Sequence, residues 1–388
     1  MRYSQEHIQE YYAELVNIVG REEDLAVVAV AHMVSNSVTF LPALDQLAEL
    51  ACILPKPKSL KQAPQWITDQ LRDQFRMEDL SREWAADPRK VLNLLSDLNL
   101  GSKQIILVDI GGYFADSLKF ISRHLNGKLV GILEGTENGV QKYEEVVDGS
   151  PAVPPVITVA RSPLKLPEDY LVASSVVFSI EAILREKGSI LQGLQSCVIG
   201  YGRVGSSVAE ILRNRGLPTS VYDIDPIQLA KAAVKGFSVH TDIDDAVRKK
   251  SLIVCATGGT SIDAESIKFV EDGCILASVT SGDDEFDLAG IREIYRVENL
   301  DDLTNTNTHR YIDDTTGRNF LMLDEGNAVN FAHGAVIGQA MQLIEGEKVA
   351  AIKALIHHDF EPTITPGLYE LGRETRTKVA TVWNRHFL

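Results

Sequence analysis

The sequence predicts an α/β protein of two domains, one of them a Rossmann dinucleotide-binding domain. Three observations predict it. The chain has 388 residues, and at roughly 100–200 residues per domain that makes two. Short apolar runs alternate with helical periodicity along the chain, the pattern of a mostly parallel sheet covered by helices. A glycine turn, Gly200-Tyr201-Gly202-Arg203-Val204-Gly205, separates an apolar run from an amphipathic segment.

The elements follow in order. Residues 7–19 have the spacing of an amphipathic helix. Residues 25–31 read as a short strand, followed by a helix over 37–50. Residues 104–110 form a buried strand ending in Gly111-Gly112, and 128–133 another, followed by Glu134-Gly135-Thr136. The stretch 151–169 carries five prolines and reads as a connection with one short strand inside it. A helix over 174–186 precedes the glycine turn. After further strand and helix units, residues 333–357 place Val336, Ile337, Ala340, Met341, Ile344, Val349 and Ile352 on one helical stripe.

Composition narrows the function classes. The chain is 45% hydrophobic and 24% charged, ordinary for a globular enzyme. A formal net charge of −16 argues against nucleic acid or anionic membrane as main partners. Cys52, Cys197, Cys255 and Cys274 include no CxxC pair, so no metal site and no redox dithiol is expected. The start, Met1-Arg-Tyr-Ser-Gln-Glu, lacks an apolar core of signal-peptide length, and a reducing cytoplasm is the expected compartment.

The turn carries its own chemistry. It follows a strand over 195–199 and opens a helix over 204–215. Gly200 makes the sharp turn, Gly202 lets a pyrophosphate approach the backbone, and Gly205 lets the helix pack on the strand. The helix start presents N–H groups to phosphate. Asp223 ends the next strand, 220–222. An acid there takes the ribose hydroxyls and repels a 2′-phosphate, which favours NAD over NADP.

Further stretches carry a family resemblance. They are Ala31-His32-Met33, the run from Leu107 to Gly112, and Gly131-Ile132-Leu133-Glu134-Gly135-Thr136-Glu137-Asn138-Gly139-Val140. Lys165 with Asp169, Tyr222-Asp223-Ile224-Asp225-Pro226, and the run from Met322 to Asn330 complete them. Together they resemble the adenosylhomocysteinases. The resemblance implies a nested layout, with a discontinuous substrate domain over 1–178 and 334–388 and a Rossmann NAD domain over 179–333 inserted into it. It implies a homodimer or homotetramer acting on a small nucleoside-like substrate. In the implied chemistry a 3′-hydroxyl is oxidised by NAD, the neighbouring C4′ proton becomes acidic, and the 5′ substituent leaves by elimination.

The site residues implied by the resemblance are catalytic Lys165, Asp169, Asp109 and His32. Lys165 serves the hydroxyl, Asp169 orients it, Asp109 serves C4′ and the 5′ side, and His32 helps the leaving group and water. The implied cofactor contacts are Gly200, Tyr201, Gly202, Arg203, Val204, Gly205, Asp223, Ile224, Gln228, Thr136, Asn138, Thr257, Gly258, Thr280, Ser281 and Asn330. Taken singly, each catalytic candidate has a simpler reading. His32 is a cap or surface residue, Lys165 a solvated loop lysine, and Asp109 and Asp169 are caps of neighbouring helices.

The chain also departs from the family. Ser281 stands where the family has a histidine near the ribose. Val34 and Asn36 replace the Thr and Glu that contact adenine, and Leu54-Pro55-Lys56-Pro57-Lys58 replaces a polar segment that reads the nucleoside. Gly135 replaces the second acid of the Glu-Glu-Thr motif, and about five extra residues precede the helix after Tyr170. The cofactor residues and the Lys165–Asp169 pair persist while the base-reading groups do not. A site that lacks a partner for a buried polar group discriminates strongly against that group, so a substrate other than adenosylhomocysteine is expected. Three readings stay open: an enzyme oxidising another sugar hydroxyl, a true adenosylhomocysteine hydrolase with an altered adenine site, and a non-catalytic NAD-binding regulator.

Overall fold

The computed structural model describes residues 3–147, 153–280, 285–300, 307–356 and 367–388. The chain forms two compact units, 1–168 with 338–388, and 169–337. The first unit is therefore discontinuous, with the second unit inserted in its sequence.

The first unit is built on a six-stranded sheet. Its strands are β1 (Glu22–Ala31), β2 (Ala48–Pro55), β3 (Gln104–Asp109), β4 (Leu129–Glu134), β5 (Val156–Thr158) and β14 (Leu368–Tyr369). They lie in the order β14-β5-β4-β3-β1-β2, and each pairing is parallel. The central strands are apolar on both faces, with Ala26 to Val30 and Ile106 to Leu107 nearly inaccessible. That is what a parallel sheet covered by helices requires.

One covering helix, Ala340–Ile356, returns to this sheet after the inserted unit. Gly131 lets it come close, since a Cβ there would fall 2.6 Å from Leu355. Seven residues earlier, Lys348 Nζ lies 3.4 Å from the Cβ position of Gly135. Seven helical residues rise about 10 Å, so the helix runs from Leu355 over the strand interior to Lys348 beyond the strand's carboxyl end. The sequence stripe predicts a helix from residue 333. Here Val329–His333 is a 3-10 turn and the α-helix starts at Ala340. Gly334, Ala335 and Gly338 have φ of +77°, +48° and +63°, which interrupts helical geometry. The helix is buried on nearly all sides, with even Gln342, Glu345, Glu347 and Lys348 inside.

The second unit holds β6 (Ser196–Ile199), β7 (Thr219–Tyr222), β8 (Ser238–His240), β9 (Leu252–Cys255), β10 (Cys274–Ser278), β11 (Arg296–Asn299), β12 (His309–Ile312) and β13 (Asn319–Met322). Their order is β11-β12-β13-β10-β9-β6-β7-β8. From β8 to β13 the strands are parallel in the 3-2-1-4-5-6 order of a doubly wound dinucleotide fold, and β12 and β11 extend the sheet antiparallel.

The helix Leu166–Glu186 leads into this unit. Its start corrects the sequence reading, which places Asp169 in a proline-rich connection with extra residues before the helix. Pro167 sits in the first helical turn, where proline's missing N–H leaves no bond unmade. The interior residues Ala173, Val176, Val177 and Ile180 pack into the core of the second unit, so the units divide at 168/169 and 337/338 rather than at 178/179 and 333/334. All four cysteines are buried thiols. Among the described residues no helix is long and apolar enough to cross a membrane, and no His, Cys, Asp and Glu group could hold a metal.

Candidate functional site

The cofactor end of the second unit is built at the carboxyl ends of β6, β7, β9 and β10. Gly200 has φ +93°, and a Cβ on it would fall 2.6 Å from the Ala256 carbonyl oxygen. A Cβ on Gly205 would fall 1.9 Å from the Gly200 carbonyl oxygen. Those two glycines are required by packing. Gly202 faces open space and caps the helix Arg203–Asn214 with no side-chain bond, which leaves room for a pyrophosphate on the helix start. Tyr201 is buried and stacks edge-on against Phe237.

Asp223 braces the turn. Its carboxylate accepts from the Tyr201 N–H at 2.6 Å and the Asp225 N–H at 2.8 Å. Next to it Ile224 is an apolar side chain that is 87% exposed. Gln228 stands on the helix Pro226–Val234 that follows. Across the sheet, the Asn330 side-chain oxygen is buried and accepts no hydrogen bond among the described residues. An orphaned acceptor and an open glycine cradle both fit a dinucleotide.

Thr257, Gly258 and Thr280 converge on a residue the sequence reading missed. The buried Glu285 carboxylate accepts from the Thr257 N–H (2.8 Å) and hydroxyl (3.0 Å), the Gly258 N–H (2.8 Å) and the Thr280 hydroxyl (2.8 Å). Burial pushes its carboxyl above the usual range and these donors pull it back. Nothing in local periodicity marks Glu285, because its partners come from two other strand ends. Ser281 lies outside the described residues. Val204 opens the helix beside Arg203, whose Nε is 2.8 Å from the Asp169 carboxylate. Asp169 thus belongs to the second unit, buried on the first turns of its leading helix.

The remaining predicted residues, Lys165, Asp109, His32, Thr136 and Asn138, belong to the first unit and share the carboxyl edge of its sheet. Asp109 ends β3 and is fully buried. Its carboxylate accepts from Ile110 N–H (2.8 Å), Phe114 N–H (3.1 Å) and the Tyr143 hydroxyl (2.6 Å). Those bonds hold the Gly111–Phe114 turn, so the geometry makes Asp109 a brace of the site floor.

Beside it Glu134, also fully buried, accepts from the N–H groups of Gly111 (3.1 Å), Gly112 (3.0 Å) and Thr136 (2.6 Å) and from the Thr136 hydroxyl (2.7 Å). Burial first, and then the Asp109 charge, push the Glu134 carboxyl up to about 7. Gly139 exists to admit it, since a Cβ there would sit 2.1 Å from the Glu134 carboxyl carbon. The Thr136 hydroxyl in turn accepts from Gly139 N–H at 3.2 Å, and Asn138 stands half-buried in the same first turn.

His32 follows β1. Burial lowers its pKa well below the usual imidazole value, and the nearby Lys56 and Lys348 ammonium groups lower it further, so the ring is neutral at pH 7. Lys165 closes a short 3-10 turn, Pro163–Lys165, capped by the Ser162 hydroxyl, and forms an ion pair with the buried Glu168. It is half-buried at the sheet edge and not a solvated loop lysine. Helix Ala340–Ile356 adds Lys348 and Glu345. Burial lowers the Lys348 pKa, opposed by Glu345 and Glu168. Burial raises the Glu345 carboxyl to about 8, and that carboxyl accepts from the Tyr12 hydroxyl. Lys348 and Glu345 lie about 180 residues from Lys165 in sequence and read there only as part of a helix.

Residues 170–336 match the family of the S-adenosyl-L-homocysteine hydrolase NAD-binding domain. An adenosylhomocysteinase of Aeropyrum pernix is 28% identical over 236 residues, which is 59% of this chain and 54% of that protein. The chain thus spans about half the length of that curated relative. Among solved structures, a phosphoglycerate oxidoreductase from Vibrio cholerae matches 85% of this chain and 99% of its own at 13% identity and a TM-score of 0.44. A D-lactate dehydrogenase from Escherichia coli matches 70% and 79% at 14% identity and a TM-score of 0.39. The cofactor is NAD, and residues 170–336 are similar to the NAD-binding domain of the S-adenosyl-L-homocysteine hydrolases.

Proposed function

We propose that this protein oxidises a 3′-type sugar hydroxyl of a nucleoside or related metabolite, transiently or as its net reaction, on a substrate other than adenosylhomocysteine. The observation that carries the reading is the ion pair between Lys165, at the carboxyl edge of the first unit's sheet, and Glu168, in the first turn of the helix that bears Asp169. Bound NAD supplies the oxidising equivalent; Gly200, Gly202, Gly205, Asp223 and Asn330 are the residues that hold it.

The chain's own groups then divide the proton work. Lys165 passes its own proton to Glu168, its ion-pair partner, and as the neutral amine takes the proton of the hydroxyl. Asp169 orients the reacting sugar, itself held by Arg203 at 2.8 Å. Neutral His32 is the proton carrier for the 5′ side, because an imidazole without a proton on one nitrogen can accept there at pH 7. Asp109 and Glu134 hold the floor on which the sugar rests. Val34 and Asn36, at the mouth of β1, offer an adenine ring neither a carboxylate nor a hydroxyl, which favours a different base or none.

Absorbance near 340 nm, followed as candidate nucleosides are added to purified NAD-loaded protein, tests the reading. A substrate of the proposed class raises it. Lys165→Ala keeps NAD and loses that signal by roughly 10²–10⁴-fold in rate, the usual effect of removing a general base. Unchanged NADH formation in Lys165→Ala overturns the assignment. Adenosylhomocysteine turnover with kcat/KM above about 10⁴ M⁻¹s⁻¹, within the ordinary range for substrates, overturns the substrate reading. A protein that never reduces NAD with any sugar is the regulatory binder instead.

A further inference from the structure

Lys348 sits in the middle of a helix buried on almost every side, and only 8% of it is exposed. Among the described residues its ammonium makes no hydrogen bond and no ion pair; the Phe40 ring lies 5.6 Å away. Its Nζ faces Gly135, which presents no side chain, at 3.4 Å from where a Cβ would be. The carboxylates whose field reaches it are Glu345, Glu168 and Glu134. Each is committed elsewhere: Glu345 to the Tyr12 hydroxyl, Glu168 to Lys165, and Glu134 to three backbone N–H groups and the Thr136 hydroxyl. A buried cation is costly unless an anion or a full set of acceptors meets it.

The same edge carries more positive charge toward β1 and β2. Lys56 Nζ and Arg82 Nη2 both abut Gly111, at 3.6 and 3.3 Å from its Cβ position. Arg82 Nη1 donates to the Gly111 carbonyl at 2.7 Å and Lys142 Nζ to the same oxygen at 3.3 Å. His32 stands in the field of both Lys56 and Lys348, so the row runs from the end of β2 to the end of β4. A chain of net charge −16 thus gathers Lys348, Lys56, Arg82 and Lys142, besides the paired Lys165, on the sheet edge that also holds Asp109, Glu134, Glu168 and Glu345, at the end where α/β sheets bind ligands.

We propose that the ligand of the first unit is a sugar derivative bearing a phosphate-class dianion, seated between Lys348 at Gly135 and the Lys56, Arg82 and Lys142 group at the Gly111–Gly112 turn. The proposal rests on the reading of this edge as the substrate side, and it names the substrate class. Gly135 supplies the room. Arg82 supplies a planar fork that matches phosphate oxygens, and the lysines supply compact charges. Neutral His32 supplies a hydrogen bond without adding charge.

Calorimetric titration of the full chain loaded with NAD tests this. The probes are ribose 5-phosphate against ribose, a nucleoside 5′-monophosphate against its nucleoside, and ribonate as a carboxylate monoanion. We expect at least one phosphate probe to bind ten-fold or more tightly than its neutral parent, with the preference shrinking as salt rises from about 0.05 to about 0.5 M. Lys348→Met is expected to reduce the preference at least ten-fold while NAD affinity is unchanged and the melting temperature holds or rises, since an isosteric hydrophobe relieves a buried charge. Should Lys348→Met not fold, the half-buried Arg82→Gln with Lys142→Gln is read instead and reduces the same preference. No phosphate preference in either pair, a ribonate affinity equal to the phosphate's, or a preference intact in the variant overturns the proposal. NADH is read in parallel. Phosphate preference without NADH from any sugar removes the redox reading and leaves this one standing, and NADH from neutral nucleosides without phosphate preference does the reverse.

Discussion

The cofactor end of the second unit and the carboxyl edge of the first unit's sheet are made of different material. The cofactor end is backbone. Gly200 and Gly205 are set by contacts of 2.6 and 1.9 Å that a methyl group would violate, and Gly202 by the open space it leaves. The carboxyl edge of the first unit's sheet is titratable side chains: Asp109, Glu134, His32, Lys165, Glu168, Glu345 and Lys348, most of them buried. A backbone cradle keeps its shape when side chains drift, because the phosphate is held by N–H groups that every residue carries. A side-chain edge changes its ligand with one or two substitutions. Within one chain, the region that holds a common cofactor is thus built to tolerate change, and the edge proposed to take the substrate is built to express it.

The sharpest way to break that contrast is to put a side chain into the cradle. Gly205→Val drives a Cβ to 1.9 Å from the Gly200 carbonyl oxygen, and the helix Arg203–Asn214 must move off β6. We expect NAD no longer to copurify and its affinity to fall by at least about 100-fold. The stabilisation that saturating cofactor provides, about 2.7 kcal/mol at 100 times Kd, disappears from thermal melts. Retained NAD binding in Gly205→Val shows that the cradle is not held by backbone packing.

The same contrast explains what was legible in the sequence. The glycine turn, Asp223 and the strand and helix around them are contiguous over about thirty residues, so a local pattern carries their geometry. The strands β1, β3 and β4 were legible as apolar runs bounded by turn residues. Lys348, Glu345 and Glu285 were not. Their meaning comes from neighbours far along the chain, such as Gly135, Tyr12 and Thr257, and no local period encodes a pairing of that range. The start of the leading helix was misread because prolines at 163 and 167 look like connection, whereas a proline in the first turn is compatible with a helix. Asp109 shows the opposite failure. It was expected at a strand end and lies there, yet its oxygens are taken by Ile110, Phe114 and Tyr143, a commitment that no sequence position announces.

A second test addresses the charged edge through pH. Glu345 is pushed up to about 8 by burial, against an ordinary glutamate near 4.3. A carboxyl raised in the folded state binds a proton that the unfolded chain has already released. Its neutral form therefore supports the fold below about pH 4, and that support is progressively lost as pH rises toward 8. Glu345→Gln fixes the neutral state and still accepts from the Tyr12 hydroxyl. Its stability relative to the parent should therefore climb between pH 5 and 8, by at most about 4 kcal/mol at roughly 1.36 kcal/mol per pH unit. Denaturant melts at pH 5, 6.5 and 8 read this. A constant difference across the three pH values means that Glu345 ionises as an ordinary surface carboxylate does.

The smallest effect is expected at an exposed apolar side chain of the cofactor end. Ile224 is 87% exposed, and it follows Asp223, whose carboxylate is fixed by the Tyr201 and Asp225 N–H groups. An exposed isoleucine leaves apolar area in water that a flat aromatic ring can cover, and burying an aliphatic side chain fully gives about 1.5–3 kcal/mol. Only one face of Ile224 can be covered by an adenine, so the share available to binding is about 1 kcal/mol. Ile224→Ser should therefore leave the melting temperature of cofactor-free protein unchanged, within the roughly ±0.5 kcal/mol typical of surface substitutions. It should weaken NAD about five-fold in a titration followed by tryptophan fluorescence or calorimetry, because about 1.4 kcal/mol is a factor of ten. Nicotinamide mononucleotide, which lacks the adenine, should bind parent and variant equally. Equal NAD affinity in parent and variant removes Ile224 from the adenine site; a weakened mononucleotide as well means that the substitution has disturbed the Asp223 brace and not the adenine contact.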